Sequence, residues 1–399
     1  MDIQEGVYFR PGERPRGHFL ITFLSVDEGG RADDVGEALT LLWARLRALK
    51  RGETNDLPGH PVPSGNLDCL IGYGPKAFKL TGAPTSLPGE LGPASRFLSP
   101  RTTGGGPILV GSGVDYAADT VKNVATEEIA LQFTADSALA VRRAYVETWK
   151  ELRAQGGPVR IGTFFDGFQR DDGRSWLSFH DGLSNLISGP ERHEAIRIKS
   201  GPFIEGTTFA FLRLEVDLDT WQTINASSQE ALVGRSKLTG CPLVAVDAAG
   251  DLVADATCPA HGTNEVGEQG NETFREPPLG VPQVIKRSHV HRSNFSHSQA
   301  TGDPGSLRIF RQGYEFLEAR TSSPGFRAGL NFVSFQDTPR RVLSILTRSG
   351  WLGNTNFGAG LGTPQDKGPL LLSCRAAGVY LAPPVGDPDV LPGGEIFGL

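Results

Sequence analysis

Apolar residues in the first half of the chain form two patterns, short continuous runs and steps of three and four. Short apolar runs rich in β-forming residues predict strands at His18–Leu24, Leu67–Tyr73 and Ala130–Phe133. Apolar residues at steps of three and four predict amphipathic helices at Asp33–Lys50 and Ser137–Ala154. The order strand, helix, strand, strand, helix is typical of the ferredoxin-like split βαβ unit, in which helices cover one face of an antiparallel sheet.

The second half of the chain repeats this order of elements. Strands are predicted at Thr208–Val216, Arg308–Phe316 and Leu330–Gln336, and helices begin within Trp221–Leu232 and Pro339–Thr347. Long polar and glycine-rich stretches between these elements predict loops. We therefore predict an α+β protein of two ferredoxin-like domains with antiparallel sheets, which cover residues 1–187 and 188–399.

Composition narrows the choice of partner and compartment. The 399 residues include 51 Gly and 28 Pro and carry a formal net charge of −6 without a basic run, which argues against nucleic acid or a membrane surface as a partner. The polar N-terminus and the lack of a long apolar run predict a cytoplasmic protein. The four cysteines form no CxxC pair, so neither a zinc knuckle nor a disulfide framework is expected.

Three polar segments could carry chemistry. In KRSHVHRSNFSH, His289 and His291 would share one face of a strand, where they could hold a metal, or they would lie in a solvated loop. The second segment is FFDGFQRDDGRSWLSFHDGLSNL, residues 164–186, in which the Asp166–Gly167 dipeptide predicts a tight turn. In the third segment, RIFRQGY, strand alternation would put Arg308 and Arg311 on opposite faces, either at the surface or held at a ligand.

Together these segments resemble the motifs of dye-decolourising peroxidases. SFHDGLSN resembles the family's GFxDGxxN motif, with Asp181, Gly182 and Asn185 at the matching positions, although Ser178 replaces its first Gly and Leu186 replaces the Pro that often follows its Asn. SHVHRSN resembles the AHxR-type haem-ligand segment, and RIFRQGYEF resembles RxLRRGxxY. IGYGPKAF in the first half and APPVGDPDVLPGGEIF at the end also match in order, so the resemblance spans essentially the whole chain.

The resemblance implies a dimeric-type α+β barrel with a bound haem b and gives roles to single residues. His289 would be the axial ligand of the haem iron, with His291 as the runner-up and His261 as a weaker rival. Asp181 would be the acid-base group that moves the peroxide proton. Arg311 would stabilise the charge that develops as the O–O bond breaks.

Three further residues receive supporting roles from the same resemblance. Asn185 would brace the loop beside the cofactor, and Arg292 would either pair with a haem propionate or stay solvated. Asp337 would be a carboxylate partner of the ligand His289 or an exposed turn residue.

The function that the resemblance implies is a haem peroxidase. An acidic pH optimum is expected for a separate reason, because an aspartate works best as a proton acceptor near its ordinary pKa of about 4. It would reduce hydrogen peroxide through an oxidised haem intermediate and oxidise phenolic, dye-like or other organic reductants, and a homo-oligomer is compatible with it. One alternative is a haem carrier or haem-iron handling protein, which would need the axial histidine but neither Asp181 nor Arg311. Another is a specialised oxidative enzyme of a biosynthetic pathway on the same scaffold.

Overall fold

The computed structural model describes residues 2–8, 15–91, 97–99, 108–110, 127–183, 185–186, 189–265, 280–286, 288–294, 308–320, 324–339, 341–342 and 371–399. Eight strands close into one barrel, and every neighbouring pair is antiparallel. They are β1 (His18–Val26), β2 (Asp68–Tyr73), β3 (Ile129–Ala135), β4 (Val159–Phe168), β5 (Thr207–Val216), β6 (Phe310–Ala319), β7 (Phe326–Gln336) and β8 (Leu372–Ala382).

The strand order around the barrel is β1-β3-β2-β8-β5-β7-β6-β4. The first four strands therefore lie in the order β4-β1-β3-β2, and the last four lie in the equivalent order β8-β5-β7-β6. This repeated arrangement is that of two ferredoxin-like units, as predicted. The two units share one closed sheet, which has no free edge strand.

Two long helices cover the first unit from outside. They are α1 (Ala32–Lys50) and α2 (Ala138–Gln155), and both match the predicted segments to within one residue. On β1, Leu20 and Leu24 pack in the cluster that contains the apolar faces of these helices. The alternate residues Phe19 and Phe23 belong to a second, aromatic-rich cluster without residues from either long helix. Strand alternation thus separates the core between helices and sheet from the core inside the barrel.

The remaining elements are short. The helices are α3 (Gly189–Ile196), α4 (Leu218–Thr223), α5 (Ala226–Val233), α6 (Gln283–Lys286) and α7 (His289–Asn294). Two-stranded hairpins pair Phe97–Ser99 with Ile108–Val110 and Leu243–Val246 with Leu252–Ala254, and single 3-10 turns lie at Ala77–Lys79, Gly89–Leu91 and Gly394–Ile396. Within the described ranges, no helix combines the length and the apolar character needed to cross a bilayer.

Several predictions of local structure are wrong. Asp166 and Gly167 lie inside β4 rather than in a turn, and a Cβ on Gly167 would stand 2.7 Å from the Asn331 amide nitrogen. The glycine therefore permits close packing against the neighbouring strands. The helix predicted over Trp221–Leu232 is broken into α4 and α5, and β8 was not predicted. Most of the helix predicted at Pro339–Thr347 lies outside the described residues.

The cysteine prediction also needs correction. Cys241 and Cys258 form a disulfide across 17 residues of sequence, with their Cα atoms 5.9 Å apart. Their spacing gives no CxxC signal, and only the fold of the intervening hairpin brings them together. Both side chains are buried in a small cluster with Leu183.

Candidate active site

A cavity of about 250 Å³ lies where three segments meet. The segments are the loop of residues 175–183, the N-terminal part of β6 with the residues before it, and helix α7. The cavity wall includes Asp181, Arg311 and His289, which are separated by more than 100 residues of sequence at the extremes. Much of the remaining wall is apolar and includes Val233, Leu214, Ile309, Leu330 and Phe332.

Helix α7 separates the two candidate histidines. The helix begins at His289, so the predicted strand arrangement is wrong, and residues two apart on a helix point in directions about 200° apart. His289 lines the cavity, whereas His291 is buried and is not among the described lining residues. His261 is exposed and is not among the described lining residues.

The environment of His289 favours the neutral imidazole. Burial within the protein lowers the pKa of His289 to about 4, and the positive charges of Arg311 and Arg235 act in the same direction, against the Asp181 carboxylate. Neutral imidazole is the form of histidine that coordinates a metal ion.

Asp181 is held by its own turn and by a glycine on β6. Its Oδ1 accepts a hydrogen bond from the backbone N–H of Gly182 at 2.7 Å, where Gly182 has a φ of 82°. Its Oδ2 lies so close to Gly313 that a Cβ on that glycine would stand 2.8 Å away. An Arg311 Nη2 lies 3.8 Å from Asp181 Oδ1, so an acid-base group and a cation face the same space.

Asn185 holds the strand that carries Arg311. Its Nδ2 donates to the Arg311 carbonyl oxygen at 2.7 Å, and its Oδ1 accepts from the Arg311 N–H at 3.1 Å. Among the described residues, β4 pairs with β6 only at Phe168 and Glu315, so no β4 residue pairs with Arg311. The side-chain amide of Asn185 therefore takes the place of a neighbouring strand.

The substituted glycine of the motif has a physical explanation. Ser178 has a φ of 68°, in the left-handed region that glycine adopts without steric cost. Its carbonyl oxygen accepts a hydrogen bond from Arg174 Nη1 at 2.9 Å, and its N–H donates to the Ser175 carbonyl at 2.8 Å. The chain thus keeps the turn of the motif despite the larger residue.

Two further arginines line the cavity. β6 begins at Phe310, so strand alternation does not apply to Arg308, and Arg308 and Arg311 reach the same cavity rather than opposite faces. Arg235, which the sequence analysis missed, donates from Nη1 to the Gly240 carbonyl at 2.9 Å. Burial lowers the pKa of Arg235 to about 9, which leaves it protonated at neutral pH.

Glu315 is a further residue of the cavity wall that was not predicted from the sequence. This residue lies in β6, is 6% exposed and lines the cavity with Asp181. Burial and the negative charge of Asp181 raise the pKa of Glu315 to about 8, so its protonated form predominates at neutral pH. A lone Glu in an alternating strand gives no sequence signal, because alternation does not say which face lines a cavity.

Two predicted residues, Arg292 and Asp337, are not among the described residues of the cavity wall. Arg292 belongs to α7, and its side chain is not among the described ones. Asp337 accepts hydrogen bonds from Arg341 Nε at 2.6 Å and Nη2 at 3.1 Å, and its side chain is 14% exposed, so it is not an exposed turn residue. Its role beside His289 stays a prediction.

Comparison with known proteins identifies a family match for part of the chain and similar solved folds for the whole chain. Residues 172–359 match the family model described as "Dyp-type peroxidase, C-terminal". The fold is similar to that of a DyP-type peroxidase from Cellulomonas bogoriensis, with a TM-score of 0.70 and 18% identity over 99% of this chain and 97% of that chain.

Two further solved structures show the same fold. An oxyferrous complex of DtpA from Streptomyces lividans has a TM-score of 0.69 and 19% identity over 100% of this chain and 97% of that one. The encapsulated DyP-type peroxidase from Mycobacterium smegmatis has a TM-score of 0.60 and 18% identity over 98% of each chain. Residues 172–359 thus match a DyP-type peroxidase family model in sequence, and the fold of the whole chain is similar to that of solved DyP-type peroxidases.

Proposed function

We propose that the protein binds haem b in this cavity and uses it to reduce hydrogen peroxide at the expense of an organic reductant. The observation that carries the proposal is the convergence of His289, Asp181 and Arg311 on one cavity, with the guanidinium 3.8 Å from the carboxylate. Among these groups, a neutral imidazole suits an iron ligand, and a carboxylate beside a guanidinium suits peroxide chemistry.

The residues present fit a haem group. His289 would be the axial ligand, the apolar wall would contact the porphyrin plane, and Arg308 and Arg235 offer positive charge to its carboxylates. Haem supplies the iron at which the O–O bond of peroxide is cleaved. Within the chain, Asp181 would take a proton from one peroxide oxygen and return it to the other. Arg311 would stabilise the negative charge that develops on the departing oxygen.

The presence of Asp181 and Arg311 together favours a peroxidase over a haem carrier. A carrier needs the ligand but gains nothing from a carboxylate and a guanidinium that face the same space. The proposed reductants are phenolic, dye-like or other organic molecules, as for the family in general. A specialised biosynthetic oxidation would use the same groups and would differ in the reductant.

A matched pair of variants tests the ligand. His289→Ala should lose or shift the Soret band of the haem-loaded protein, whereas His291→Ala should keep it. Asp181→Asn and Arg311→Leu should retain haem and slow the reaction with peroxide by about a hundredfold or more. If the wild-type protein binds haem tightly but does not turn over peroxide with any phenol or dye, the carrier function is correct instead.

The Cys241–Cys258 disulfide bears on the predicted cytoplasmic location. A disulfide such as Cys241–Cys258 is typical of oxidising compartments and rare in the cytosol. Thiol labelling of the protein in its native cells would show whether the pair is oxidised there.

A further inference from the structure

Glu315 shares a face of β6 with Arg311, the guanidinium proposed to act on peroxide. Arg311, Gly313 and Glu315 occupy alternate positions on the strand, so their side chains point to the same side. Arg311 and Glu315 line the cavity, and Asp181 Oδ2 lies against Gly313 between them. The two carboxyl groups therefore border the same space.

The surroundings of Glu315 favour its neutral form. The side chain is 6% exposed, and its carboxylate receives a hydrogen bond from the backbone N–H of Trp176. Asp181 and Asp172 oppose ionisation, and Arg170 favours it. The other charged or titratable groups on the cavity wall are Arg311, Arg308, Arg235, His180 and His289. Two carboxyl groups in one enclosed site do not both ionise readily, and the more buried one retains its proton.

Peroxide reduction requires protons inside this cavity. Conversion of one hydrogen peroxide to two waters consumes two electrons and two protons, and an organic reductant supplies the electrons. A single carboxylate that shuttles a proton between the peroxide oxygens returns that proton and adds none. A second group that carries a proton at neutral pH would provide one of the two protons that the reduction consumes.

We propose that Glu315 is a proton store for the cavity, which holds one proton at neutral pH and transfers it to the Asp181 carboxylate. The proton moves from the Glu315 carboxyl oxygen to an Asp181 carboxylate oxygen, Glu315 becomes a carboxylate, and solvent returns a proton to it. No group is oxidised or reduced in this step. The proposal rests on the peroxidase function, since Glu315 acts through Asp181 on the same reaction.

Infrared spectroscopy tests the protonation state without turnover. In the haem-free protein, a carboxylic acid carbonyl band should disappear on titration from pH 6 to pH 9, with a midpoint near the value of about 8 given by the surroundings of Glu315. The band should shift on 13C-glutamate labelling, which identifies it without any variant. It should be absent from Glu315→Gln and present in Glu37→Gln, a control on the exposed side of α1. If no glutamate band titrates above pH 6, the proposal is wrong.

The pH profile of the haem-loaded protein tests the proton transfer. Peroxide-dependent oxidation by Glu315→Gln should equal that of wild type at pH 5, where the solvent supplies protons readily. It should fall about tenfold relative to wild type between pH 7 and pH 8. Superposable profiles of the two proteins would overturn the proton store and leave the peroxidase function intact. A wild-type protein that binds haem but is inactive at every pH would overturn the peroxidase function and the proton store together.

Discussion

Asn185 makes both backbone hydrogen bonds of Arg311, one to its carbonyl oxygen at 2.7 Å and one from its N–H at 3.1 Å. The amide thus fixes the position at which the cavity's guanidinium leaves the strand. Asn185 itself is 4% exposed and is not among the cavity-lining residues. Its position explains why the motif that carries Asp181 also carries this amide.

Removal of this amide should affect stability and activity together. Asn185→Ala should lower the free energy of unfolding by about 1–3 kcal/mol, because two partly buried backbone groups of Arg311 lose their partner. Asn185→Asp keeps the acceptor oxygen and should have a smaller effect. Denaturant titration measures the free energy of unfolding, and stopped-flow mixing with peroxide measures the activity. A fully active Asn185→Ala protein would show that Arg311 does not depend on this support.

Gly313 should be intolerant of a side chain. In Gly313→Ala the new Cβ would lie 2.8 Å from Asp181 Oδ2 and would displace the carboxylate. We expect about a ten- to hundredfold slower reaction with peroxide, with the haem spectrum unchanged, because small displacements of an acid-base group are costly. The control is Gly386→Ala, where a Cβ meets nothing within 4 Å. Equal rates in the two variants would contradict the prediction.

Ser178 should be a position where glycine stabilises the fold. A non-glycine residue in the left-handed region destabilises the folded protein by about 1–2 kcal/mol. Glycine removes this strain, but it also stabilises the unfolded state, because it gives the unfolded chain more conformations. Ser178→Gly should therefore raise the free energy of unfolding by up to about 1 kcal/mol. Ser178→Ala keeps the φ of 68° without the hydroxyl and should give no gain. Thermal unfolding of the two variants distinguishes them.

The disulfide should stabilise the cavity wall. Residues 235, 236 and 240 line the cavity immediately before Cys241, and the pair closes 17 residues of chain. Loss of the bond in Cys241→Ala/Cys258→Ala should lower the free energy of unfolding by about 3 kcal/mol in the chain-entropy model. A reductant should destabilise the wild-type protein and have no effect on the double variant. Equal response of both proteins would mean that the bond does not form in solution.

Glu315 should make folding stability depend on pH. Its pKa of about 8 in the folded protein lies above its ordinary value of 4.5, so between these values the folded state holds a proton that the unfolded state has released. Stability should therefore decrease as the pH rises from about 4.5 to about 8, by a few kcal/mol at most. Glu315→Gln should remove this decrease. Denaturant titrations of the haem-free proteins at pH 5 and pH 8.5 measure the difference.

The sequence by itself determined the fold class, and its resemblance to a known family singled out three residues, Asp181, Arg311 and His289, that line one cavity. The apolar runs of β1 and β5 and the apolar steps of three and four in α1 and α2 are local properties of the sequence. The turn at Asp181 and Gly182 is also a local property, because it depends on the conformation of adjacent residues. The order of these elements was enough to indicate two ferredoxin-like units.

Only the tertiary structure decided which side chains meet. Whether His289 or His291 reaches the cavity depends on α7 being a helix. Arg308 lines the same cavity as Arg311 because it precedes β6, where strand alternation does not apply. The disulfide, Arg235 and Glu315 depend on contacts between segments far apart in sequence. Burial and charge in a cavity arise from its walls, and no single segment of sequence contains all of those walls.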